Sequence, residues 1–226
     1  MKAMVLAAGR CERLRPLTDR MPKPLVPAAG KPLLAWHLER LAASGCRQVV
    51  ANVSHLGEQI VTYVESSRFA LEVALSREAE PLETAGGIAQ ALPLLGSEPF
   101  LLVNGDIYCE IDFAPLLAHG LGAKLVHLVL VPNPPHREGG DFSLRAGAVG
   151  NDGAPRYTYA GVAVMSPRLV EAVRRGDKAP LAPLLRAAAA KGLASGELFQ
   201  GLWQDVGTVE RLAELEAQLS SRNESR

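Results

Sequence analysis

The sequence predicts a single α/β domain in three layers: a mostly parallel sheet, helices on both of its faces, and a small antiparallel insertion. Three observations predict it. Apolar runs of strand length alternate with helical periodicities from residue 2 to residue 131. Those runs are apolar throughout rather than at every second position, which marks strands covered on both faces, and such strands are usually parallel ones joined by helices. Past residue 132 the texture changes to a Pro/Gly-rich loop followed by short alternating pieces that read as antiparallel.

Taken in order, "KAMVLA" (2–7) is a fully apolar strand that runs into a glycine loop. "KPLLAWHLERLAASG" (31–45) puts Leu33, Leu34, His37, Leu38 and Leu41 on one helical face, with Gly45 as its stop. "QVVANV" (48–53) and "LEVALS" (71–76) read as strands, with "GEQIVTYVES" (57–66) as the helix between them. "TAGGIAQALPLL" (84–95) begins another helix, "FLLVNGD" (100–106) is a strand ending on a polar cluster, and "AKLVHLVLV" (123–131) is the next strand. The pattern is that of a Rossmann-like sheet. After the loop "PNPPHREGGDFSL" (132–144) come "RYTYAGVAVMSP" (156–167), helical patterns in "LAPLLRAAAAKG" and "TVERLAELEAQL", and a core-like strand in "GLWQDVGT" (201–208). The tail "SSRNESR" is expected to fray.

Composition narrows the function classes. With 226 residues, 48% of them hydrophobic, the chain can bury a sizeable core. Its 24 basic and 24 acidic residues cancel, so no whole-protein field recruits nucleic acid or an anionic membrane. Its longest apolar stretches fall far short of the ~20 residues of a membrane helix. The N-terminus does not resemble a cleavable signal, so a cytoplasmic location is expected. Cys11, Cys46 and Cys109 are scattered and form neither a disulfide framework nor a metal-ligand pattern.

In open α/β sheets, ligands sit beyond the carboxyl ends of the strands. Three polar clusters hold such positions: Gly9 to Arg15, Asn104-Gly105-Asp106, and Asp205. The first has neither G-x-G-x-x-G nor a GxxxxGK[ST] phosphate loop. It offers Arg13, Arg15 and Lys23 instead, with Lys23 bracketed by Pro22 and Pro24, whose fixed φ angles restrict the chain around the amine. Three cations in one loop suit a triphosphate. Asp106 and Asp205 are the candidate pair for Mg²⁺, which commonly takes one or two carboxylates and leaves its other positions to water and phosphate. Singly, each aspartate also reads as a turn former or a helix-preceding residue. No G-x-S-x-G elbow or H-E-x-x-H helix competes.

These residues carry a resemblance. "LAAGRCERLRPLTDRMPKPLVP" (6–27) resembles the LAAG-x-G-x-R-x-x-P-L-T…PKPL signature of the sugar-1-phosphate nucleotidyltransferases, and "NGD" and "WQDVGT" are similar to that family's two metal-aspartate motifs. The resemblance implies catalytic roles for Arg13, on the β,γ-phosphates, and for Lys23, between the α-phosphate and the sugar phosphate. It implies Mg²⁺ on Asp106 and Asp205. Ala7, Ala8, Gly9, Cys11, Glu12, Glu83, Gly86, Gly87 and Asn104 would complete the nucleotide site, and Gly140, Asp141 and Gly161 would line the sugar pocket. Residues 1–131 would form the nucleotide-binding part of the single domain and 132–226 the sugar-binding part. Within the family, the short length, "EPLETAGGI", "GGDF" and "YAGVAVMSP" resemble the enzymes that join UTP to N-acetylmuramic acid 1-phosphate in peptidoglycan recycling. The alternatives are a mannose-1-phosphate guanylyltransferase, which shares "TAG", or another sugar-1-phosphate nucleotidyltransferase, and more remotely a nucleotide-binding regulator without turnover.

Two features depart from the family pattern. No match appears for the glutamate that many relatives use to hold sugar hydroxyls, and Asp141 is the expected replacement. Cys11 stands where the signature has its second glycine; its β-carbon costs about 1 kcal/mol if φ is positive, but its N–H is kept.

Overall fold

The computed structural model describes residues 1–9 and 12–223. Cys11, singled out above, and the chain end at 224–226 lie outside the described residues. The strands are β1 (Lys2–Leu6), β2 (Pro27–Ala28), β3 (Lys31–Pro32), β4 (Gln48–Val53), β5 (Glu72–Arg77), β6 (Phe100–Asn104), β7 (Ile107–Cys109), β8 (Val126–Val131), β9 (Phe142–Arg145), β10 (Ala148–Gly150), β11 (Arg156–Met165), β12 (Ala194–Leu198) and β13 (Trp203–Asp205). The helices are α1 (Leu33–Ala43), α2 (Gly57–Ser66), α3 (Glu83–Leu95), α4 (Phe113–Leu117), α5 (Ala182–Ala190) and α6 (Val209–Asn223).

Nine strands form one twisted sheet in the order β5-β4-β1-β6-β11-β8-β12-β10-β9. From β5 to β6 all neighbours are parallel. Successive side chains along a strand face opposite sides, and both sides are dry. Ala3, Val5, Leu101 and Val103 meet Leu34, Leu38 and Leu41 of α1, Ile60 of α2 and Phe113 of α4 on one face. Met4, Phe100 and Leu102 meet Ile88 and Leu95 of α3 and Leu185 of α5 on the other. A third apolar cluster lies apart from the main sheet, where Leu212, Leu215 and Leu219 of α6 close over Leu33, Tyr108 and Val206.

Three expectations need correction. "RYTYAGVAVMSP" is one central strand, β11, running antiparallel between β6 and β8. Its register shifts between Tyr159 and Val162, and that irregularity made a single strand read as short pieces. "GLWQDVGT" does not join the main sheet, since β13 pairs with β7 in a two-stranded ladder of its own. The tail is helical as far as Asn223, because α6 keeps its apolar stripe to Leu219 and Arg222 pairs with Glu110 at 2.8 Å.

Candidate active site

The carboxyl ends of β1, β4, β5 and β6 open onto one cleft of about 190 Å³. Its walls include Ala7, Ala8 and Gly9 after β1, Glu83 and Thr84 at the start of α3, and Asn104 at the end of β6 with Gly105 and Asp106 after it, together with Lys23. Small side chains at 7–9 leave the space open. Behind them lies a buried polar network that the sequence reading missed. The Ala7 amide donates to Asn52 Oδ1 at 2.8 Å, Asn52 Nδ2 donates to Glu78 Oε1 at 2.7 Å, and the Leu82 amide donates to Glu78 Oε2 at 3.0 Å. This chain of bonds ties the ends of β1, β4 and β5 to the entry of α3, where Glu83 is held at φ +60°. The signal available in the sequence was Asn52, a polar residue interrupting the apolar run Val49–Val53 near the end of its strand.

Neither Gly86 nor Gly87 lines the cleft. A β-carbon on Gly86 would stand 2.3 Å from the Asp177 carbonyl oxygen, so Gly86 packs α3 against the 177–179 segment. One on Gly87 would stand 2.7 Å from Glu78 Oε1, so Gly87 makes room for the polar network. Both pack behind the cleft wall and not on it.

At the other end of the cleft, the Gly105 amide donates to the Leu6 carbonyl at 2.9 Å, and a β-carbon there would come within 2.3 Å of the same oxygen. This close approach turns the chain out of β6 and brings Asp106 to the rim. Pro22 enters a 3-10 turn (Lys23–Leu25) in extended conformation, and Lys23 is only 4% exposed, with Nζ 3.1 Å from Asp106 Oδ2. The β7–β13 ladder then places the second aspartate: Asp205 is opposite Ile107, and the Val206 amide donates to the Asp106 carbonyl at 2.9 Å. Arg211 of α6 donates to Asp205 Oδ2 at 2.7 Å. Each carboxylate therefore keeps its Oδ1 without a hydrogen-bond partner among the described residues. Two hard oxygen donors on adjoining backbone fit a Mg²⁺ ion that draws its remaining ligands from water and phosphate.

His37 supports this corner from behind. Its Nε2 meets the Ile107 carbonyl at 2.8 Å, and burial holds its pKa at about 4, so the ring is neutral and donates from Nε2. The cationic loop is less convergent than the sequence suggested. Arg15 pairs with Asp19 at 3.0 Å in solvent. Arg13 is exposed on the 3-10 turn Glu12–Leu14 and does not line the cleft. Short 3-10 turns spread these side chains around the loop, and only Lys23 turns inward.

A second compartment adjoins the cleft through Glu83, Thr84 and Asn104, and its further walls include Arg137, Asp141, Phe142, Tyr159, Leu185 and Arg186. Gly161, at φ +77° in the irregular part of β11, faces the Asn104 side chain, and a β-carbon there would come within 2.7 Å of Asn104 Nδ2. It seats Asn104 rather than walling the pocket itself. Asp141 Oδ2 accepts from the Tyr159 amide at 2.9 Å and from Arg137 at 3.1 Å, and Gly140, at φ +59°, lets the loop fold under it against Asn133 and Tyr157. The Tyr159 hydroxyl has no partner among the described residues, and burial pushes its pKa up.

Residues 2–140 match the family described as nucleotidyl transferase. The N-acetylmuramate alpha-1-phosphate uridylyltransferase of Neisseria meningitidis serogroup B is 48% identical over 96% of this chain and 97% of that relative. The mannose-1-phosphate guanylyltransferase catalytic subunit beta of Drosophila pseudoobscura pseudoobscura is 32% identical over 91% of this chain but only 59% of that subunit. A Bacillus anthracis protein solved in complex with a sucrose shares the fold, with a TM-score of 0.84 at 15% identity, over 96% of this chain and 94% of that one. With its cleft at the strand ends and this match over most of its length, the chain belongs to the sugar-1-phosphate nucleotidyltransferase family.

Proposed function

We propose that the protein transfers the uridylyl group of UTP to N-acetylmuramic acid 1-phosphate, giving UDP-N-acetylmuramic acid and pyrophosphate. The observation that carries this reading is the identity of 48% to an N-acetylmuramate alpha-1-phosphate uridylyltransferase across nearly the full length of both chains. The same reading assigns the chain to peptidoglycan recycling in the cytoplasm. It agrees with a fold in which no described helix is long and apolar enough to cross a membrane.

The residues divide the work by position. The base enters between Ala7–Gly9 and the start of α3, with Asn104 beside the ribose and the sugar in the compartment walled by Asp141 and Tyr159. A sugar-phosphate oxygen attacks the α-phosphorus in line as the bond to pyrophosphate breaks. The incoming phosphate is already ionised, its second pKa being about 6, so no general base is needed. Phosphoryl-type transfer depends on positioning and on neutralising charge. Lys23, its amine held in the cleft by Asp106, supplies the inward cation, and Arg13 would reach the β,γ-phosphates from the loop that continues Gly9. Mg²⁺ held by Asp106 and Asp205 would offset the charge on the phosphates.

Pyrophosphate release from the purified protein, offered Mg²⁺, the four common nucleoside triphosphates and a panel of sugar 1-phosphates, tests the reading. UTP with N-acetylmuramic acid 1-phosphate should be the preferred pair. Pyrophosphate from no pair would overturn the enzyme reading, and preference for GTP with mannose 1-phosphate would overturn the muramate one. Asp106→Ala and Asp205→Ala should each lower kcat by roughly a hundredfold or more, and Asp106→Ala should also lower Tm, because it leaves the buried Lys23 amine without its partner. A variant that keeps the wild-type rate would remove its aspartate from the metal site.

A further inference from the structure

N-acetylmuramic acid differs from a neutral amino sugar by one substituent, a lactyl ether that carries a methyl group and a carboxylate. The sugar compartment presents two guanidinium groups. Arg137 is committed elsewhere: it lies on the 132–141 loop, is 54% exposed, and pairs with Asp141 Oδ2 at 3.1 Å. Arg186 is exposed as well, but it differs in its support and its pairing. It is carried by the helix α5, has no carboxylate within ion-pair distance among the described residues, and holds its Cζ 5.5 Å from the centroid of the Phe142 ring. Stacking on an aromatic face orients a guanidinium while leaving its edge free for a carboxylate. Beside it, Leu181, Leu185 and Phe142 give an apolar wall suited to a methyl group. The remaining acidic side chains of the compartment do not compete, since Asp141 is paired and Glu83 stands on the wall shared with the nucleotide cleft.

We infer that Arg186 binds the lactyl carboxylate of the acidic sugar and sets the preference for a muramic acid 1-phosphate over neutral amino-sugar phosphates. A planar fork matched to a carboxylate gives a charge-assisted, two-point contact that a neutral sugar cannot return. This inference rests on the muramate reading above, and its test separates the two.

The test compares wild type, Arg186→Ala and Arg186→Lys with UTP and either N-acetylmuramic acid 1-phosphate or the same compound with its carboxyl amidated. Amidation should lower kcat/KM for the wild type by roughly ten- to a hundredfold. Arg186→Ala should lose a similar factor on the acid and then treat acid and amide alike, with the KM for UTP and the Tm unchanged. Arg186→Lys should fall between, because a point charge replaces the fork. The inference is overturned if Arg186→Ala still discriminates acid from amide as the wild type does, or if it loses both substrates equally. A wild type that accepts acid and amide equally sinks the inference alone, whereas one that turns over no muramate substrate sinks the parent reading and this inference with it.

Discussion

At Gly161 a missing side chain does the positioning. Asn104 borders both compartments, and its amide lies where a β-carbon on Gly161 would be, within 2.7 Å. Gly161→Ala would strain a φ of +77° and push Asn104 out of place. We expect roughly tenfold lower kcat/KM for both substrates, with Tm lowered by a few degrees. Unchanged kinetics would remove Asn104 from the site. At this scale the sequence was legible where chemistry and spacing coincide: Lys23 between two prolines and Asp106 after an apolar strand are both at the cleft. It was less legible where a residue's role depends on a neighbour distant in the chain. Glu78 matters through Asn52, 26 positions away, and no local pattern reports such a bond. Arg15 belonged in the phosphate set by sequence distance, but its ion pair with Asp19 keeps it in solvent.

Among the elements, α6 and the β7–β13 ladder share one apolar cluster. Leu215 is fully buried in their shared cluster, and Arg211 on the same helix grips Asp205. Leu215→Ala should cost about 2–5 kcal/mol, measured by denaturant unfolding, and should also lower kcat by loosening the Asp205 anchor. A stability loss with full activity would show that the helix packing and the carboxylate are uncoupled. The amphipathic pattern of α6 was visible in sequence, but its docking partner was not, because β13 read as a strand of the main sheet. For β11, the run "GVAVM" carries the apolar signature of a strand buried on both faces. The alternating half before it hid that signature.

For the whole molecule, stability should depend on pH through His37. Burial lowers its pKa from 6.5 to about 4, against the weaker opposing effect of its bond to Ile107. The folded ring stays neutral while the unfolded chain takes up a proton below pH 6.5. Stability from this group is thus complete above about pH 7 and is lost as pH falls toward 4, by roughly 3 kcal/mol. Unfolding curves from pH 7.5 to 4.5 should show that slope, and His37→Gln should flatten it. An equal slope in the variant would locate the titration elsewhere.

The ladder of β7 and β13 acts as a ruler. Asp106 is fixed to the main sheet through Gly105, whereas the backbone position of Asp205 is set by which residue of β13 lies opposite Ile107. Side chains alternate along a strand, so a slip of one residue would put Gln204 or Val206 in its place and turn the carboxylate to the opposite face. The spacing between the two aspartates is therefore written in one short hydrogen-bond register, and any change that shifts it removes the pair without touching either residue.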